Sequence, residues 1–133
     1  MNAKTYLSQA RLLDARINAR LEQAAHLRSA LTRCVQPPRL APGGGPVDWT
    51  DTMHRVIELE EEINADIDRL AALRHTIEHA IAELDNPTHR ALLEMRYLSG
   101  WDWRRIARAL HYSDRQIWRM HAQALERFVV PEE

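Results

Sequence analysis

Between Ser113 and Leu125 the chain sets Asp114, Arg115, Gln116, Trp118 and Arg119 around one apolar residue, Ile117. These side-chain types can read the edges of bases in a groove: arginine pairs bidentately with guanine, glutamine with adenine, and a carboxylate accepts from the amino group of cytosine. Shortly before them stand Arg104, Arg105 and Arg108, which are placed to neutralise phosphates and so to position a protein on a duplex without specifying sequence. The spacing therefore predicts a base-contacting set (Asp114, Arg115, Gln116, Trp118, Arg119) and a phosphate-contacting set (Arg104, Arg105, Arg108), with double-stranded DNA as the partner.

Other chemistry is sparse. His75-Thr76-Ile77-Glu78-His79 matches a zinc-binding spacing. Ile77, however, falls on a core position of the helical repeat described below, which puts both histidines on the outer face, and an open catalytic zinc needs three protein ligands in a cleft. Solvated helix histidines are expected there, with no metal and no cofactor. No Gly-rich phosphate loop, nucleophile elbow or carboxylate pair in a catalytic context is present, so neither an enzyme nor a small-molecule substrate is expected. The acidic run Glu58-Leu59-Glu60-Glu61-Glu62 reads as a solvated helix face or as a docking patch for a basic partner.

The elements that must position these residues are marked by two breaks. Four of the six prolines and three of the four glycines lie between Gln36 and Val47, which predicts a flexible loop over 36–47. Asp85-Asn86-Pro87 is the second break, since the residue before proline is steered out of helical geometry and the ring suits the first turn of a new helix. Before the loop, Tyr6, Ala10, Leu13, Ile17, Ala24, Leu27 and Leu31 recur at spacings of three and four or their sums. After it, Val56, Ile63, Leu70, Ile77 and Leu84 repeat every seven residues, with Met53, Ile67 and Ile81 at companion positions. The expected fold is all-α: residues 1–85 form a long antiparallel, coiled-coil-like helical hairpin, and residues 86–133 a three-helix helix-turn-helix domain. The apolar stripe is wider than two helices need. Either two hairpins associate as a homodimer through Ile17, Val56, Ile63, Ile67, Leu70 and Ile77, or the C-terminal helices cover the surplus within one chain.

Three short helices are expected after Pro87. The first carries Ala91, Leu92, Met95 and Leu98 and stops at Ser99-Gly100. The second starts at Asp102, a good N-cap, and runs through Ile106, Ala107 and Leu110. The third opens with Ser113 three residues before Gln116, the spacing of a capping box, and buries Ile117, Met120, Ala124 and Phe128. Two short helices joined by a tight turn, the second polar on its outer face, make a helix-turn-helix pattern.

Length and composition bound the rest. A chain of 133 residues, 45% hydrophobic and 28% charged with net charge -1, is globular and has room for one ordinary domain or two small ones. Residues 1–85 hold 10 basic against 13 acidic residues and residues 86–133 hold 8 against 6, a polarity that fits a nucleic-acid-binding second half. Cys34 has no partner for a disulfide, and no apolar stretch is long enough for a membrane span or signal peptide, so a cytoplasmic protein with no membrane partner is expected.

The segment NPTHRALLEMRYLSGWDWRRIARALHYSDRQIWRMHAQALERF resembles region four of the sigma-70-type factors, above all in LLEMRYLSG, WRRIARAL and the helix from Ser113 to Leu125. The whole chain, from MNAKTYLSQA through LEEEINADIDRL to this tail, is similar to small phage and prophage regulators near the RinA and ArpU late-gene regulators. The resemblance implies that positions 114, 115, 116, 118 and 119 meet the major groove. Trp118 departs from the small basic or polar residue usual there, and nothing resembles the sigma domain that melts promoters. The expected function is a dimeric, sequence-specific DNA-binding transcriptional regulator. The alternatives are an adaptor or inhibitor binding RNA polymerase or a host factor, and a phage small terminase subunit.

Overall fold

The computed structural model describes residues 1–35 and 49–132, and the loop expected over 36–47 lies outside the described residues. The regular structure among the described residues is all helical, with no strand: α1 (Ala3–Val35), α2 (Trp49–Ala82), α3 (Pro87–Leu93), α4 (Trp103–Leu110) and α5 (Asp114–Arg127). α3 runs on into a wider π-helical turn, Glu94–Leu98. With 33 and 34 residues, α1 and α2 are each about 50 Å long at the helical rise.

The packing divides the chain into two compact units, one of Met1–Asp14 with Leu70–Glu133 and one of Ala15–Arg69. The division falls inside both long helices and not at residue 85. The opening turns of α1 and the closing turns of α2 therefore belong with the C-terminal helices.

In the unit of residues 15–69, Ala24, Leu59 and Ile63 form a small buried cluster with Leu27 against it, and Ile17 and Val56 are buried as well. Beside these apolar residues lies a carboxylate: Asp66 is only 2% exposed. An unpaired buried carboxylate would cost several kcal/mol. Here Arg20 donates a short hydrogen bond to Asp66 Oδ2, and Arg16 and Arg69 each approach its carboxylate to 3.6 Å. Because Asp66 takes the inner position, its neighbour Ile67 turns outward and is 46% exposed. The companion row Met53, Ile67, Ile81 is thus corrected at its centre, where Leu59, Ile63 and Asp66 face inward. The acidic run is largely engaged within the same unit: Glu60 pairs with Arg28, Glu62 lies 3.8 Å from Arg20, and Glu58 lies 3.2 Å from Arg55.

The other unit is built on a larger core in which Leu7 and Ala10 of α1 join Ile77 and Ile81 of α2 and the inner faces of α3 to α5. Local chemistry fixes each helix. Asn86 Oδ1 accepts the Thr88 N–H at 2.9 Å with Pro87 at the first helical position. Asp102 Oδ1 accepts the Arg105 N–H at 2.8 Å, and α4 ends on His111 in the left-handed region at φ 59°. The π-turn closes when Ser99 N–H donates to Glu94 O at 2.9 Å, and Gly100, at φ 72°, supplies the left-handed residue that follows. The extra residue in that turn shifts the inward face, so Leu93 and Tyr97 are buried while Met95 and Leu98, expected inside, are half-buried.

Candidate nucleic-acid interface

α5 carries the predicted base-contacting residues, and its first turn is locked by a reciprocal cap. Gln116 N–H donates to Ser113 Oγ at 3.2 Å and Ser113 N–H donates to Gln116 Oε1 at 2.9 Å. Ile117, His121, Ala124 and Phe128 form the buried side, spaced four, three and four residues apart. On the other side Asp114, Arg115, Gln116, Trp118 and Arg119 are all exposed, as are Arg104, Arg105 and Arg108 on α4. At about 100° per residue Arg115, Trp118, Arg119 and Ala122 share one flank of α5, and Gln116 lies roughly a quarter turn from Arg115. An open concavity of about 580 Å³ lies where Arg104 and Arg108 of α4 meet Ser113 and Asp114 at the start of α5.

Two guanidinium groups of this unit rest on indoles. The Arg105 guanidinium lies 3.9 Å from the ring centre of Trp101, and that of Arg96 lies 4.5 Å from Trp103. Such stacking holds a long side chain in place while leaving its charge available. Arg96 also donates to the Trp101 carbonyl at 3.1 Å. Burial, and then the nearby charge of Arg11, lowers its pKa from the ordinary arginine value.

Trp118 is 56% exposed, with its ring centre 5.1 Å from that of Trp103. Trp103 in turn meets His121 edge-on at 4.7 Å. His121 is buried and its Nε2 lies 2.8 Å from the Tyr97 hydroxyl. Burial first, then the charges of Lys4 and Arg96, push the His121 pKa down to about 4, so the ring is neutral at neutral pH. The outward aromatic Trp118 therefore stands on a neutral, hydrogen-bonded base. The sequence pattern gave no sign of the buried histidine, because histidine at a helical core position reads as polar surface.

The expected dimerisation set divides. Ile17, Val56, Ile63 and Ile77 are buried by their own chain, which leaves Ile67 and the half-buried Leu70 with surface to offer a second copy. The rings of His75 and His79 meet edge-on with centres 4.5 Å apart, and both residues are exposed. Among the described residues no group of three or more His, Cys, Asp or Glu is arranged to hold a metal, and no helix is long and apolar enough to cross a membrane.

No family model, curated protein or solved structure matches the chain.

Proposed function

We propose that the protein is a sequence-specific DNA-binding transcriptional regulator of the phage and prophage type, in which α4 and α5 act as a helix-turn-helix and α5 enters the major groove. One observation carries this reading: α5 exposes Arg115, Trp118 and Arg119 on one flank while Ile117, His121 and Ala124 anchor the opposite side. A recognition helix needs that division, since its inner face must be held while polar side chains reach base edges. Arg104, Arg105 and Arg108 supply phosphate contacts on the preceding helix.

The long helices form the antiparallel hairpin of this proposal. The ion pairs support it, because residue numbers rise from Arg16 to Arg28 on α1 as they fall from Asp66 to Glu60 on α2. Two copies associate through the surface around Ile67 in the cytoplasm, and RNA polymerase is a further partner of the DNA-bound dimer. The test is selection of bound duplexes from a random library, followed by mobility shifts over a range of salt. The expected outcome is an enriched motif bound in a salt-sensitive manner. Failure to enrich any sequence, with no retardation at low salt, removes this reading.

Exposed Trp118 also fits a second reading, an adaptor that buries this indole in a polymerase or host-factor surface. Under it Trp118→Ala abolishes protein capture while DNA is not bound at any salt.

A further inference from the structure

The opening turns of α1 bring two more basic residues to the same unit as the helix-turn-helix. Leu7 is fully buried in the core that also holds Ile117 and Phe128, and the ring of Tyr6 lies 6.2 Å from that of Phe128, the residue that follows α5. Lys4 and Arg11 stand three residues before and four residues after Leu7, so they share its side of α1 and rim the contact. Both are exposed, and neither takes part in an ion pair among the described residues.

Their surroundings are basic. Lys4 and Arg96 each oppose a charge on His121, and Arg11 opposes the charge on Arg96. Tyr97 and then Asp102 act in the opposite sense on Arg96, and one of the Asp102 oxygens already accepts the Arg105 N–H. Arg96 is stacked on Trp103, and Trp103 touches Trp118, the aromatic residue on the exposed flank of α5. Arg96 thus lies on Trp103 with Arg11 acting on it, and Lys4 acts with Arg96 on His121; like charges so arranged repel unless an anion lies among them.

We propose that Lys4 and Arg11, on the first turns of α1, form a second row of contacts to the phosphate backbone of duplex DNA, beside the groove that α5 enters. The inference rests on the DNA-binding reading and extends it: the interface is composite, built from two stretches of chain some hundred residues apart, and α1 serves as part of it. Backbone phosphates are the fitting partner because the cluster offers cations without the base-reading acceptors found on α5. Such contacts raise affinity for every sequence and leave base preference alone.

The experiment measures binding of the full chain to its selected duplex and to a random duplex at several salt concentrations. Four proteins are compared: wild type, Lys4→Ala/Arg11→Ala, the charge-keeping Lys4→Arg/Arg11→Lys, and Arg33→Ala. The last removes a charge from the far end of α1. The expected result for the double alanine variant is equal weakening on both duplexes and a log–log salt slope smaller by about 2, at about 0.9 per lost phosphate contact. Lys4→Arg/Arg11→Lys and Arg33→Ala keep the wild-type slope. A double alanine variant with native helix content and an unchanged slope overturns the composite interface while leaving α5 as the reader. A wild-type chain that shows no salt-sensitive binding overturns the DNA-binding reading itself, and this proposal with it.

Discussion

The Tyr97 hydroxyl and His121 Nε2 lie 2.8 Å apart inside the unit that carries α5, with both rings buried. The pair joins the π-turn after α3 to the middle of α5, while burial first, and then the charges of Lys4 and Arg96, favour the neutral form of His121. The folded pKa of about 4 lies below the ordinary 6.5 that the unfolded chain retains, so the unfolded state takes up the proton first as pH falls. This contribution is therefore intact above about pH 6.5 and is lost progressively towards pH 4. At about 1.4 kcal/mol per pH unit it amounts to about 3 kcal/mol. Urea unfolding at pH 7.5 and 4.5 checks it: His121→Asn is expected to lose clearly less stability between the two than wild type does. An equally steep loss in both proteins would assign the acid sensitivity to other groups.

Asp66 and its arginines behave as a buried ion pair whose parts cannot be removed singly. Asp66→Asn leaves Arg20, with a largely buried side chain, short of its counter-charge, and is expected to cost on the order of 3 kcal/mol. Asp66→Leu with Arg20→Met is expected to recover most of that loss, because apolar residues of similar volume often replace a buried pair without penalty. Arg16 and Arg69 are exposed enough to return to water. A double variant no more stable than Asp66→Asn in urea titration would contradict this account.

These two sites also mark where the sequence stops being legible. Val56, Ile63, Ile77 and Leu84 are buried as the seven-residue repeat expects, because apolar residues at that spacing share one side of a helix whatever lies opposite. Ile67 and Asp66 exchange places because arginines 46 and 50 residues earlier in the chain compensate the carboxylate, and a periodicity on one helix carries no information about charges on another. The inward shift to Leu93 and Tyr97 comes from a single extra residue in the π-turn, which leaves the spacing of Ala91, Leu92, Met95 and Leu98 looking like an ordinary helix. The caps at Asp102 and Ser113 and the helix start at Pro87 were legible, since each is set by residues three or fewer apart, whereas the cap by Asn86 was not read from the break it stands in. By the same logic Arg115, Trp118 and Arg119 could be placed on the exposed side from their own helix, while the burial of Leu7 among the C-terminal helices, which brings Lys4 and Arg11 into that unit, could not be read without the fold.

Exposure of Ile67 separates assembly from folding. A charge placed there meets solvent in the single chain, so Ile67→Asp is expected to change unfolding free energy by no more than about 0.5 kcal/mol. In a dimer that buries Ile67 the same charge is unpaired, and sedimentation equilibrium is expected to show monomer mass with unchanged helix content. Ile63→Asp, at a buried position, is expected to unfold its unit instead. A dimer that survives Ile67→Asp removes this surface from the contact.

Arg115 and Arg105 test the division of labour between α5 and α4. Arg115→Ala is expected to relax base preference at a cost of about 1 to 3 kcal/mol on the selected site, with little loss on random duplex. Arg105, held over Trp101, is expected to act on phosphate: Arg105→Ala weakens both duplexes alike and flattens the salt slope by about 1. Equal losses on both duplexes for both variants would withdraw the distinct roles.

Gln116 is tied to both the fold and the proposed reading of bases, and the two roles can be separated. Its Oε1 already accepts the Ser113 N–H, which fixes the direction of the side chain and leaves that oxygen one further lone pair, whereas bidentate pairing with adenine needs both the oxygen and the amide N–H. With the cap closed, Gln116 reads adenine fully only by sharing its oxygen between Ser113 and the base. Ser113→Ala removes the cap acceptor and is expected to cost about 1 kcal/mol of stability while leaving base preference unchanged. Gln116→Glu keeps an acceptor suited to the box and loses the donor. Its added charge weakens every duplex alike, so the ratio of selected to random affinity is the measurement that matters. That ratio is expected to fall for Gln116→Glu with stability held within a few tenths of a kcal/mol; an unchanged ratio would leave Gln116 a capping residue, with sequence read by Arg115, Trp118 and Arg119.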